Sequence, residues 1–170
     1  MQKFLVASLI LIISVSTGYP LKAQYHASLI GFYNLENFYD TVDNPIVNDE
    51  EFLPNSERHY NTAIFLDKVD RLTSVLSQLG TDVNPDGFAL LGVSEIENDT
   101  VLTALINHKS LKSRGLKFVH YDSPDRRGID VGLLYNPKYF TPLYSEPLFV
   151  QLPGGSKDSY FTRDILYVKG

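Results

Sequence analysis

Residues Phe88–Asn98 read FALLGVSEIEN, an apolar run that ends in two carboxylates and an amide. A continuous apolar run of this length is typical of a strand covered on both faces. Side chains two apart in a strand point the same way, so Glu95 and Glu97 are predicted to share a face at its carboxyl end. Ligands of open α/β sheets bind beyond that end, which makes these carboxylates candidate ligands for a hard cation. The alternative is that both acids simply face water, as most Glu residues do.

The remaining sequence predicts strands and helices on either side of this stretch. The predicted order is a strand at 27–33, a polar loop at 39–60, a helix from Asn61 to Gly80, the strand around Leu91, a short helix at 100–108, and strands at 116–120, 129–135, 143–151 and 160–169. Asn61 can cap the start of the first helix and Gly80 can end it. This order indicates a mixed sheet with helices on one face, of α/β or α+β type.

The amino terminus has the order of a secretory signal peptide. Lys3 precedes an apolar run at 4–15, and the small residue Ala23 follows before the domain begins. The apolar run is too short to span a bilayer as a stable anchor. We therefore expect a signal peptide at 1–23, a domain at 24–170, a periplasmic or extracellular location, and no membrane span after cleavage.

The composition limits the classes of function. The chain has 15 basic and 20 acidic residues, and loss of the signal peptide removes two Lys and no acid. An acidic domain is unsuited to coating nucleic acid, because such binding depends on neutralising phosphates. It can still process phosphate esters when a bound divalent cation supplies positive charge. The chain has no Cys, which excludes a disulfide scaffold and a Cys-based zinc site.

Three stretches occur in a specific order: YNLEN at 33–37, GVSEIEN at 92–98 and YDSPDRRGIDVGLLYNP at 121–137. Together they resemble the amino-terminal half of the endonuclease/exonuclease/phosphatase superfamily, to which deoxyribonuclease I belongs. The resemblance implies the amino-terminal half of a four-layer α/β sandwich and a divalent-metal-dependent phosphoesterase of endonuclease or phosphodiesterase type. It implies Mg²⁺ as cofactor, with Mn²⁺ or Ca²⁺ as alternatives. The implied substrate is a phosphate ester: a nucleic acid, a nucleotide, or a lipid or sugar phosphate.

The resemblance also implies roles for four residues. Asn34 matches the superfamily's catalytic Asn beside the metal and the scissile phosphate, and Glu95 matches its metal ligand. Arg127 matches a turn that lies near the substrate backbone in nucleases, and Arg163 matches a catalytic Arg that leans toward the phosphate. One position departs from the pattern: Glu97 stands where deoxyribonuclease I has an Arg that engages its substrate. This departure argues against minor-groove binding of the deoxyribonuclease I kind.

Superfamily members also carry a central Asp with a nearby Asn, and an Asp–His pair near the carboxyl end. Neither element is found in this sequence, so we expect an amino-terminal portion of a longer enzyme, inactive by itself, whose sheet has an uncovered inner face. The alternative is a non-catalytic secreted module with a Ca²⁺-binding loop formed by Asp40, Asp43, Asp49, Glu50 and Glu51. The four His residues lack the spacing of a zinc site and are interpreted as structural or exposed: His26, His59, His108 and His120.

Overall fold

The computed structural model describes residues 27–151 and 161–170, which form six strands and two α-helices. The elements are β1 (Leu29–Phe38), α1 (Thr62–Leu76), β2 (Phe88–Ile96), α2 (Asp99–Asn107), β3 (Lys117–His120), β4 (Asp130–Tyr135), β5 (Tyr144–Leu148) and β6 (Ile165–Lys169). The predicted signal peptide and the turn expected between the last two strands lie outside the described residues.

Four of the strands form one mixed sheet in the order β1-β2-β4-β3. β1 and β2 are parallel, whereas β4 runs antiparallel to β2 and to β3. β5 and β6 form a separate antiparallel pair. The predicted α+β architecture with a mixed sheet is confirmed. Because β1 and β2 are parallel, their carboxyl ends meet at the same edge of the sheet.

The two helices begin at Asn caps and pack on one face of the sheet. Asn61 Oδ1 accepts hydrogen bonds from two backbone N–H groups of α1, and Asn98 Oδ1 does the same for α2. Their apolar side chains pack against β2 in one core, which includes Val69, Leu76, Leu91, Val93, Leu102 and Leu105. In the described part of the chain, neither helix is long and apolar enough to cross a membrane.

Several predicted boundaries differ from the structure: the strands predicted at 143–151 and 160–169 are shorter, at Tyr144–Leu148 and Ile165–Lys169, and two other differences bear on the site. α1 ends at Leu76, before Gly80, which lies in a following turn with φ of 75°. β1 continues to Phe38, so the polar residues expected to follow this strand lie within it. The reason is burial, since Leu35 and Phe38 are both fully buried in the core and anchor the end of β1.

The sheet face opposite the helices is apolar and largely uncovered in the described residues. Ile30 and Phe32 on β1 are 73% and 68% exposed. A groove of about 520 Å³ lies between this face and β6, lined by residues such as Leu90, Leu133 and Leu166. This arrangement is consistent with one half of a two-sheet sandwich.

Candidate metal and phosphate site

Glu95 lies on a β-bulge near the carboxyl end of β2. Ser94 and Ile96 pair with residues of both neighbouring strands, whereas Glu95 pairs with neither strand. Its φ is 59°, in the left-handed region that side-chain-bearing residues seldom adopt. Strict alternation would place Glu95 on the core face with Leu91 and Val93, but Ile96 takes that place in the core. The extra residue therefore removes the carboxylate from the core while the strand continues.

The carboxylate of Glu95 is held by groups from the end of β1. Asn34 Nδ2 donates to Glu95 Oε1 at 3.0 Å, and the backbone N–H of Asn37 donates to Oε2 at 3.0 Å. Asn34 Oδ1 in turn accepts from the backbone N–H of Glu36 at 2.7 Å. Glu36 and Asn37 have φ of 54° and 55°, so left-handed backbone occurs on both strands at this point. Clustered strain of this kind is characteristic of functional sites.

Glu97 follows β2 and has different partners from Glu95. Its side chain is buried, and Oε2 accepts the backbone N–H of Asp40 at 2.6 Å. Burial raises the pKa of Glu97 to about 7. The two carboxylates were predicted to share a face because side chains alternate along a strand. This prediction is wrong, because the bulge breaks the alternation and each carboxylate accepts from a different backbone group. Glu97 therefore supports the loop after β1, whereas Glu95 lies partly exposed.

Asp125 links the two Arg residues of the site. Arg127 donates from Nε and Nη2 to the two oxygens of Asp125, at 3.1 and 2.9 Å. Arg163 lies with Nε 3.9 Å from Asp125 Oδ2 and with Nη1 4.0 Å from Glu95 Oε1. Burial acts to raise the pKa of Asp125, but the hydrogen bonds from Arg127 outweigh it and hold that pKa below its usual value. Asp125 therefore stays ionised between the two cations.

A family model described as the endonuclease/exonuclease/phosphatase family matches residues 29–170. The chain belongs to this family. Members of the family are divalent-metal-dependent hydrolases and nucleases that act on phosphate esters. Comparisons with curated proteins and with solved structures gave no match.

The structure brings together the four residues for which the family resemblance implied roles. Asn34 and Arg163 lie beside Glu95, and Arg127 joins them through Asp125. Their catalytic and binding roles stay predictions. Sequence reasoning missed Asp125, although its position in the turn two residues before Arg127 was a usable signal. It also missed Asn37, because a backbone N–H leaves no signal in the residue type.

The donor set around Glu95 fits the divalent cation that the family requires. Each carboxylate oxygen accepts one hydrogen bond and keeps capacity for a further partner. The Glu95 side chain is 21% exposed, so the carboxylate remains accessible from solvent. Mg²⁺ commonly takes one or two carboxylates and keeps several waters, so one oriented Glu is a suitable protein ligand.

A second group of potential ligands lies at the end of β3 and the start of β4. His120, Asp122 and Asp130 each offer one ligand atom, all within 4.8 Å of one another. The two ring nitrogens of His120 already contact Asp99 and Asp130, at 2.9 and 3.1 Å. Burial acts to lower the pKa of His120, but these carboxylates outweigh it and raise that pKa. Both ring nitrogens of His120 are thus engaged by carboxylates, and a metal would have to displace one of these contacts to reach the imidazole.

Three of the five acids in the loop that was the alternative cation site have partners of their own. Glu51 pairs with Arg58 at 2.9 Å, and Asp49 Oδ2 accepts the backbone N–H of Asn44 at 2.9 Å. Asp40 Oδ2 accepts from the side chain of Asn98 at 3.0 Å. Within residues 27–151 and 161–170, the loop acids form no group of three close enough to hold one ion. Among these residues Glu95 is in no such group either, so the choice of Glu95 over the loop rests on the family match and on the hydrogen bonds that orient its carboxylate.

Proposed function

We propose that this chain supplies the metal- and phosphate-binding part of an exported, Mg²⁺-dependent phosphoesterase. In this proposal Glu95 is the metal ligand, Asn34 and Arg163 contact the reacting phosphate, and Arg127 binds a flanking part of the substrate. One observation carries the proposal. The Glu95 carboxylate lies where β1 and β2 end together, is fixed by Asn34 and Asn37, and has a guanidinium nitrogen 4.0 Å away.

The residue types suit hydrolysis of a phosphate ester. A divalent cation held at Glu95 would neutralise charge that develops on the phosphate oxygens. Asn34 orients the Glu95 carboxylate without adding a second negative charge beside it. Arg163 presents paired N–H donors that match phosphate oxygens. Its contacts with Glu95 and Asp125, at 4.0 and 3.9 Å, are longer than hydrogen bonds, so binding phosphate breaks no close bond seen here.

Arg127 suits a binding role better than a catalytic one. Its side chain is 54% exposed, and the bidentate contact with Asp125 fixes the direction of the guanidinium. Tyr39 strengthens the same turn, because its hydroxyl donates to the backbone carbonyl of Arg127 at 2.6 Å. A fixed, exposed cation beside the Glu95 site can hold the anionic part of a substrate while the reaction proceeds at Glu95.

Within the described residues, we assign no group to proton transfer at the Glu95 site. His108 is bonded to Asp70, and His120 to Asp99 and Asp130. In residues 27–151 and 161–170, no His contacts Glu95 through a hydrogen bond or ion pair. Positioned acid–base groups contribute roughly 10²–10⁴-fold to such reactions. We therefore propose that the described residues bind metal and phosphate but need further groups for turnover.

Cation binding tests the proposal directly. Mn²⁺ would be titrated into the chain and free Mn²⁺ measured by electron paramagnetic resonance, for the wild type, Glu95→Gln and Glu50→Gln. Glu50 is an exposed acid of the loop at 39–60, so Glu50→Gln is a control for charge and tests the Ca²⁺-loop alternative. Weaker binding only in Glu95→Gln supports the proposal. Unchanged binding in Glu95→Gln, with or without loss in Glu50→Gln, overturns it.

A further inference from the structure

Lys68 on α1 reaches the end of β1 and binds its backbone. The Lys68 ammonium donates to the carbonyl of Glu36 at 2.5 Å and to the carbonyl of Asn37 at 2.9 Å. The same ammonium lies 5.8 Å from the ring centre of Phe38, which is fully buried. Lys68 is itself only partly exposed, so its charge is held against the sheet instead of extending into solvent. These contacts fix the ammonium from three sides.

The segment that Lys68 binds has an unfavourable conformation. Glu36 and Asn37 are consecutive residues with φ of 54° and 55°, in a region that disfavours any residue with a Cβ atom. Such backbone persists only where its surroundings fix it. Asn34 Oδ1 fixes the N–H side of Glu36, and Lys68 fixes the carbonyl side of both residues. The ammonium is therefore one of the polar groups that stabilise this turn, together with Asn34 and the carboxylate of Glu95.

Asn37 connects the ammonium to the carboxylate of Glu95. Its carbonyl accepts from Lys68, and its N–H donates to Glu95 Oε2 at 3.0 Å. Within the described residues, no ion pair joins Lys68 directly to Glu95. Besides the through-space attraction between the two charges, the connection between Lys68 and Glu95 is the backbone of the turn.

We propose that Lys68 is a positioning residue, which sets the orientation of the Glu95 carboxylate for cation binding through the carbonyls of Glu36 and Asn37. This inference rests on the proposed function, in which Glu95 holds the cation. Groups that hydrogen-bond directly to a metal ligand change affinity by about 10–100-fold when they are removed, and Lys68 lies one bond further away, so its effect should fall near the lower end of that range. Loss of the ammonium should therefore weaken cation binding although Lys68 does not touch the cation.

The test compares Lys68→Met, Lys68→Arg and Arg71→Met in the full chain. Arg71 is the matched control, because it lies one turn along α1 and pairs with Asp67 on the surface at 2.5 Å. Three quantities are measured: Mn²⁺ affinity, hydrogen exchange of the Asn37 amide by NMR, and the melting temperature without metal.

We expect Lys68→Met to weaken Mn²⁺ binding by up to about tenfold and to speed exchange of the Asn37 amide. Lys68→Arg should restore most of the affinity, since a guanidinium can also donate to two carbonyls. Arg71→Met should match the wild type. Lys68→Met added to Glu95→Gln should cause no further loss of affinity, because the two residues act on the same site.

Several results would overturn the inference. One is wild-type Mn²⁺ affinity in Lys68→Met while Glu95→Gln loses it, which leaves the proposed function intact. Another is a loss of affinity accompanied by a lower melting temperature and faster exchange throughout the core, since this indicates a structural role only. A further loss in the double variant would also contradict it. Wild-type affinity in Glu95→Gln would instead overturn the proposed function, and the inference with it.

Discussion

The side-chain amide of Asn34 and the carboxylate of Glu95, 61 residues apart in the chain, are joined by a hydrogen bond of 3.0 Å. The bond connects the ends of the two parallel strands β1 and β2. Asn34 also accepts from the backbone N–H of Glu36, so one side chain makes hydrogen bonds at the ends of both strands. An amide suits this position because it can donate to a carboxylate and accept from a backbone group at once.

Replacing Asn34 by Ala should therefore destabilise the fold as well as the site. Asn34→Ala removes one bond to Glu95 and one to Glu36, and we expect a loss of about 1–2 kcal/mol in the free energy of unfolding. Urea denaturation measures the change. Asn55→Ala is the control, since Asn55 is exposed, and it should change the free energy by less than about 0.5 kcal/mol. Equal values for the two variants would contradict the structural role of Asn34.

The buried Glu97 predicts a specific dependence of stability on pH. Burial raises its pKa from 4.5 to about 7, so the folded state disfavours the ionised form. Stability is therefore greatest below the unfolded pKa and falls as the pH rises through the folded pKa. Glu97→Gln keeps an oxygen to accept from Asp40 and carries no charge. We expect the variant to gain stability relative to the wild type between pH 5 and pH 8.

Thermal and urea unfolding of both proteins at pH 5 and pH 8 would measure this difference. Glu57→Gln is a suitable control, because Glu57 is an exposed acid. Its difference from the wild type should not vary with pH. A Glu97→Gln difference that is also independent of pH would show that the carboxyl is not held in a disfavoured charged state.

The absence of a proton-transfer group near Glu95 in the described residues predicts that the chain has little activity. With Mg²⁺ or Mn²⁺, hydrolysis of bis-p-nitrophenyl phosphate and of plasmid DNA should not exceed the rate given by the metal alone. Glu95→Ala is the control for contaminating nucleases. Turnover by a monomeric preparation that disappears in Glu95→Ala would show that the chain already contains the groups for proton transfer.

The signal peptide predicted from the order of charge and hydrophobicity is testable by mass spectrometry. The exported protein should begin near Gln24, because Ala23 is the small residue before the expected cleavage point. A variant with Ala23→Trp should be processed poorly, since signal peptidases require a small residue there. Recovery of wild-type protein that retains Met1 and stays in the cytosol would contradict export.

Sequence periodicity predicted most elements of the fold but not the details of the site. The apolar run around Leu91 became β2, and the spacing that starts after Asn61 became α1. The bulge could not be predicted from alternation, because alternation assumes that every residue of a strand is paired. The bulge becomes evident only from the structure, in which Ile96 occupies the core position that alternation assigns to Glu95.

The groups that support Glu95 could not be predicted from the sequence, for a different reason. Lys68 has the sequence signature of an ordinary cation on an amphipathic helix, and its partners are carbonyl groups that every residue carries. Contacts with the backbone depend on tertiary structure and leave no pattern of residue types. The motif residues Asn34 and Glu95 were recognisable because they stand in the stretches that carry the family resemblance.

A residue in a buried strand must usually either pack in the core or offer a polar group, and the bulge at Glu95 removes this conflict. Because Glu95 does not contribute to the core, a mutation there leaves the packing of β2 intact. A Gly at this left-handed position would remove the steric cost of the Cβ atom, so a carboxylate at this position costs conformational free energy. A Gly could not accept the hydrogen bonds from Asn34 and Asn37, so the strained backbone at position 95 is offset by the contacts through which its carboxylate joins the two strand ends.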